Sequence, residues 1–168
     1  MAPDLPLMIE PAKLAVSEKR LEGQVPLSKL GRISDLILER DGAVSYSLAF
    51  ARDDMGIVQI SGDLTAPLTV TCQRCLGIMQ LQLRCQVNVG VIDDQQQIDE
   101  LPETLEPVIA EERRISLLQL LEDELLLGMP LAPVHEPSDC PATKLLGELA
   151  VSKENPFAVL KDLKKAKH

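Results

Sequence analysis

The sequence predicts an α+β protein, an antiparallel sheet or partly closed β-barrel with a few packed helices. Three observations carry that prediction. Apolar and polar residues alternate with a period of two through much of residues 44–91. The gaps between those runs are too short for a helical crossover, so neighbouring strands must be antiparallel. Leucines then recur at helical spacing in "ISLLQLLEDELLLGMP", residues 115–130. At 168 residues the chain has the size of one ordinary domain. With aromatics at 2% and no Trp, its core must be built from Leu, Val, Ile and Met.

In chain order, residues 27–38 ("LSKLGRISDLIL") read as a short helix with Ser28 as N-cap, weakened by Gly31. Val44, Tyr46, Leu48 and Phe50 alternate with Ser45, Ser47 and Ala49 as a half-buried strand. Val58, Ile60, Gly62 and Leu64 make a second, Ala66 and Pro67 a turn, and Leu68, Val70 and Cys72 a third. The longest alternation sets Met79, Leu81, Leu83, Cys85, Val87, Val89 and Val91 against polar partners, and a register slip of one residue would expose all of that face. Cys85 lies within it and reads as a small core residue.

Ser116 precedes the leucine helix as N-cap. Leu117, Leu120, Leu121 and Leu125 share one face, Gln119, Glu122 and Asp123 the other, and Gly128 and Pro130 end it. Leu126 interrupts the polar stripe, which implies cover on more than one side. "NPFAVLKDLKKAKH" reads as a last helix with Asn155 as N-cap, Pro156 in its first turn and lysines at its negative end. The expected organisation is a single α+β domain over 1–152, with an acidic loop near 93–114, and a basic helical tail over 153–168.

The formal charge is −9, and residues 93–124 hold all of that excess, with eleven acids against two arginines. Their loop part offers Asp99, Glu100, Glu103 and Glu106 as a surface for basic partners. The last sixteen residues carry five lysines, among them Lys161, Lys164 and Lys165, the one stretch suited to phosphate contacts in an otherwise acidic chain. The competing reading is a solvated loop and a solvated helix end. The N-terminus lacks the basic start and apolar stretch of a secretory signal, and no apolar run reaches the roughly 20 residues of a spanning helix, so a cytoplasmic protein without membrane contact is expected.

Four cysteines in a reducing compartment read as buried thiols, metal ligands or redox groups before structural disulfides. "TCQRCLG" places Cys72 and Cys75 between two strands. A thioredoxin-like redox pair needs a helix N-terminus to activate its first thiol, and none follows. A hairpin with two thiolates and Gly77 close behind is instead how zinc knuckles are built. "PVHEPSDC" offers His135 and Cys140 in a proline-rich loop, with 59 residues lying between Cys75 and His135. Cys72, Cys75, His135 and Cys140 together make a candidate Cys3His site for a structural zinc, and the alternative is a turn with unligated thiols. No phosphate-cradling glycine loop, nucleophile elbow or His-Glu-x-x-His is present, and Glu122, Asp123 and Glu124 are consecutive on a helix and so do not face one another as an acid and base would. No small-molecule substrate is expected.

Four stretches in the same order and with similar intervals, "LPLMIEPAKLA", "SGDLTAPLTVTCQRCL", "LLQLLEDELLLGMPLAPVHEPSDC" and "ENPFAVLKDLK", resemble the YceD family of bacterial large ribosomal RNA subunit accumulation proteins. The resemblance implies a non-enzymatic factor that supports processing or accumulation of large-subunit ribosomal RNA, with ribosomal precursor RNA or basic ribosomal or processing proteins as partners. The family's motifs fall here on Cys72, Cys75, Leu76, Glu122, Asp123, Glu124, Pro130, Pro133, His135, Asn155, Pro156 and Phe157. The residues alone also permit a zinc- or thiol-dependent regulator without a ribosomal role.

Overall fold

The computed structural model describes residues 8–150. Its centre is a five-stranded sheet in the order β2 (Arg20–Pro26), β3 (Ala43–Arg52), β4 (Val58–Thr71), β5 (Ile78–Ile92) and β6 (Glu106–Ile109). Strands β2 to β5 form an antiparallel meander, of which the alternation predicted β3 to β5 and not β2, while β6 runs parallel to β5. The sheet is open, so the α+β prediction holds in its sheet form and not as a barrel. A small second sheet pairs β1 (Met8–Ile9) with β7 (Ile115–Ser116).

One face of the meander is the core. Val44, Leu48 and Phe50 on β3, Ile60, Leu64, Leu68 and Val70 on β4 and Val87 and Val89 on β5 are all at most 2% exposed. The opposite face carries Ser47, Ser61, Asp63, Gln86 and Asn88. Three pieces cover the apolar side: α1 (Pro11–Val16) over β3 and β4, the segment 27–37, and α2 (Leu117–Gly128) over β5. Two layers with polar residues outside are the standard means of burying a one-faced sheet.

Helix α2 forms as expected. The Ser116 hydroxyl accepts the Gln119 N–H at 3.2 Å, and Leu117, Leu120, Leu121 and Leu125 are buried, each contributing roughly 2 kcal/mol of transfer free energy. Gly128 closes it directly over Cys85, where an added Cβ would lie 2.3 Å from Cys85 Sγ. Cys85 is a core residue, as read from the alternation.

Three stretches differ from expectation. Residues 27–38 make two 3-10 turns, Leu27–Lys29 and Ile33–Asp35, in place of an α-helix. Leu27, Leu30 and Ile33 are fully buried at a spacing of three, the period of a 3-10 helix, and the Arg32 and Ile33 N–H groups are drawn to the Glu122 carboxylate. The turn read at Ala66 and Pro67 is the middle of β4, a continuous strand of 14 residues. Pro67 is tolerated because β3 pairs β4 only up to Thr65, so beyond that point β4 has a sheet neighbour on one side, β5.

The third is 93–114, whose polarity predicts a loop. It contains a 3-10 helix over Gln95–Glu100 with an Asp94 capping box, then β6, then a tight reversal bridging Glu111 and Arg114. Leu105 and Ala110 in it are buried, so the segment adds to the core more than its polarity implied. The predicted tail, 153–168, lies outside the described residues, and with it Lys161, Lys164 and Lys165.

Candidate metal centre and its surroundings

The β4–β5 hairpin turn carries Cys72 and Cys75. Its backbone is closed by the Cys72 N–H to the Gly77 carbonyl at 2.8 Å and the Leu76 N–H to the Cys72 carbonyl at 2.9 Å. Leu76, beside Gly77, takes the left-handed conformation (φ 60°) that a branched side chain rarely adopts. The loop after α2 docks on this hairpin, the Gln73 N–H donating to the Pro133 carbonyl at 2.8 Å. Arg74 reaches onward to the Thr143 hydroxyl on α3 (Pro141–Ala150) at 2.9 Å.

These contacts bring Cys72, Cys75, His135 and Cys140 together, with one ligand atom from each lying within 4.8 Å of all the others. A tetrahedron with bonds of about 2.3 Å spaces its corners about 3.8 Å apart, so a small contraction would close this set on an ion. The ring is already aimed. His135 Nε2 lies 3.2 Å from the Ile78 carbonyl, which fixes the proton there and leaves Nδ1, 3.3 Å from Cys75 Sγ, free to ligate. Cys72 and Cys140 are fully buried; Cys75 and His135 are half-buried.

Two of the thiols, Cys72 and Cys140, are favoured as thiolates by backbone N–H groups. Burial disfavours the Cys72 anion, but N–H groups of Cys75, His135 and Arg74 outweigh it and bring that thiol down to about 5. At Cys140 burial is likewise outweighed by the Ala142 and Thr143 N–H groups in the first turn of α3, which lower its pKa. Burial lowers the affinity of His135 for a proton, yet the neighbouring Cys72 sulfur and the Ile78 carbonyl raise it. At Cys75 the Gly77 N–H favours the anion, but burial and the adjacent Cys72 and Cys140 thiols push the pKa up. Thiolates crowded with a third thiol and an imidazole are what a divalent cation relieves, so the residues fit a metal ion and would hold all four corners with protein ligands.

The acidic candidates are distributed differently. Asp99, Glu100, Glu103 and Glu106 are all exposed, the first two on the 3-10 helix and Glu106 at the start of β6. Glu122, read as a solvated helix residue, is buried, and its Oε1 accepts the backbone N–H groups of Arg32 and Ile33. Glu124, beside the leucine face, is 8% exposed and makes no hydrogen bond or ion pair among the described residues. Burial, then the charges of Glu106 and Asp123, push its pKa up to about 7. Sequence reasoning missed the role of Glu122, although an acid at that helix position, next to the buried Leu121, was the available signal. No helix among the described residues is long and apolar enough to cross a membrane.

Comparison with known proteins agrees with the motifs. The chain is 30% identical over 167 residues to the large ribosomal RNA subunit accumulation protein YceD of Haemophilus influenzae, covering 95% of this chain and 96% of that one. No solved structure matches. The family model "Large ribosomal RNA subunit accumulation protein YceD" matches residues 60–164, from near the start of β4 through the cysteine hairpin, the acidic segment, α2 and the His135–Cys140 loop, and the chain belongs to the YceD family.

Proposed function

We propose that this protein is a non-enzymatic cytoplasmic factor that supports accumulation of large-subunit ribosomal RNA, acting as an adaptor for ribosomal precursor RNA or basic ribosomal proteins. The observation that carries the reading is the near full-length similarity to a protein named for that role. The cysteine cluster supports a structural part in it. Cys72, Cys75, His135 and Cys140 would hold one zinc with no corner left for water or substrate, so the ion would supply a crosslink between the hairpin and the loop after α2. The exposed acids Asp99, Glu100, Glu103 and Glu106 would receive basic proteins, and the lysine tail with Lys161, Lys164 and Lys165 would touch RNA phosphates.

Sedimentation of a lysate on a sucrose gradient tests the reading. The protein should travel with large-subunit precursors, and its deletion should lower the ratio of large- to small-subunit ribosomal RNA. A protein confined to the top of the gradient, with an unchanged ratio, ends the proposal. The low thiol pKa at Cys72 favours a second reading, a thiol-dependent regulator. In that case a Cys72→Ser, Cys75→Ser double variant that folds normally should lose its phenotype without any ribosomal association in the parent.

A further inference from the structure

Beside the acidic surface lies a groove of about 590 Å³ between β6 and α2, lined by Val108, Ile109, Leu120, Leu127, Glu106 and Glu124 among others. Among the described residues β6 is an edge strand, with β5 as its one sheet neighbour. The Ala110 N–H donates to the Ile92 carbonyl at 2.7 Å, so by the alternation of a strand Val108 also turns its backbone towards β5. Pro107 and Ile109 then turn theirs outward, and the open edge offers two carbonyls and the Ile109 N–H. Pro107 stands where its missing N–H costs no ladder bond.

The groove's charge is one-sided. Glu106, Glu111, Asp123 and Glu124 line it against Arg32 and Arg114, but Arg32 is engaged by Asp123 and Arg114 lies 3.7 Å from Glu10. Glu124, more than nine-tenths buried, lines the groove with no cation against it. Its carboxylate is left without a hydrogen bond among the described residues yet is not sealed from solvent, so it is reached from the groove, where a cation from outside would meet it.

We propose that the groove binds an extended basic segment of a protein partner, which adds as a strand to the outer edge of β6 and places a Lys or Arg against Glu124. Backbone pairing with Pro107 and Ile109 would supply affinity, and alternate side chains would divide between the carboxylates and the apolar floor of Leu120 and Leu127. This rests on the reading that the acidic segment receives basic partners, and it adds where the partner docks and in what conformation.

The test uses the full chain and a fluorescein-labelled peptide alternating valine with arginine, read by fluorescence anisotropy at physiological salt. The peptide should bind. Glu124→Gln should weaken it about tenfold or more, as loss of one partner of a buried charge pair does, with an unchanged thermal midpoint or a higher one at neutral pH. N-methylation of alternate peptide amides, which leaves the protein untouched, should weaken it as well. An Asp99→Lys, Glu100→Lys, Glu103→Lys variant should retain the Glu124-dependent binding. If that binding persists while ribosomal co-sedimentation fails, the groove stands without the ribosomal role. Affinity indifferent to both Glu124→Gln and N-methylation overturns the proposal, as does a labelled oligouridylate that, with no peptide present, binds the protein in a way that substitution in the groove abolishes. If the peptide binds only after residues 151–168 are removed, the groove belongs to the chain's own tail and the proposal falls.

Discussion

Glu122 on α2 accepts the backbone N–H of Ile33 at 3.1 Å, joining residues 89 positions apart, and the same oxygen takes the Arg32 N–H. One carboxylate thus satisfies two donors at the start of a 3-10 turn whose side chain, Ile33, is fully buried. Glu122→Ala should cost about 2–4 kcal/mol, because it orphans both donors. Glu122→Gln keeps an acceptor and should cost about half as much. Urea denaturation of the three proteins gives the ranking, and equal midpoints would show the contact to be idle.

Metal analysis of protein purified without chelator should return about one zinc per chain, since all four ligands are in place and one ring nitrogen is already oriented. Cys72→Ser and His135→Ala should each lower that content, whereas Cys85→Ala should leave it unchanged because Cys85 is in the core under Gly128. Metal-free protein with undiminished thermal stability is the outcome against it.

Gly62 faces β3 so closely that a Cβ would fall 2.0 Å from the Ser47 carbonyl oxygen. The obstacle is backbone in the middle of the sheet and cannot swing away. Gly62→Ala should therefore destabilise by about 3 kcal/mol or more, well above an ordinary surface substitution. A Ser61→Ala control on the solvent face should fall within about 0.5 kcal/mol of the parent.

The Glu124 carboxyl has a pKa of about 7 in the fold against an ordinary 4.5, with Glu106 on β6, Asp123 on α2 and the Cys85 thiol on β5 among the groups coupled to it. Between those values the folded protein holds a proton that the unfolded chain has released. Its contribution is complete below about pH 4.5 and is lost as pH rises through 7. Glu124→Gln should remove that dependence, so the variant should gain on the parent by about 1–2 kcal/mol from pH 5 to pH 8, allowing for the solvent that still reaches the carboxyl. Thermal midpoints across that range report the difference, and parallel curves would refute it.

Reversing Asp99, Glu100, Glu103 and Glu106 to lysine should remove basic proteins from a lysate pull-down, chiefly by slowing association at low salt. Glu106 opens β6, so the fold of the variant must be checked by its denaturation midpoint. The intact protein's binding to precursor RNA should fall with salt, and truncation after Lys153 should flatten that slope by about one unit per lost contact. Identical partner sets and slopes would leave both segments as solvating charge.

What could be read from the sequence depended on the range of the interactions involved. Strand β5 was legible because thirteen alternating residues encode one buried face locally. The cysteine cluster was legible as a set of ligand types, since few other residues compete for that role, although the Gln73 to Pro133 contact that assembles it was not. Strand β6 was not legible: Glu106, Pro107, Val108 and Ile109 carry a charge and a proline, and only β5 makes them a strand. Segment 27–38 misled because its apolar spacing fits more than one helix type, and the choice is made by Glu122, far along the chain.

The cluster brackets a long piece of chain, with Cys75 and His135 60 positions apart and β5, β6 and α2 between them. An ion bound across it makes that piece a closed ring, which would lower the entropy of the unfolded chain by about 4 kcal/mol on the chain-entropy scale. A protease that nicks the exposed acids around Glu103 would then cut a ring and leave one particle, both fragments still joined through the ion and the sheet. Chelation would release them, so integrity would be decided by the ion where the peptide bond no longer holds.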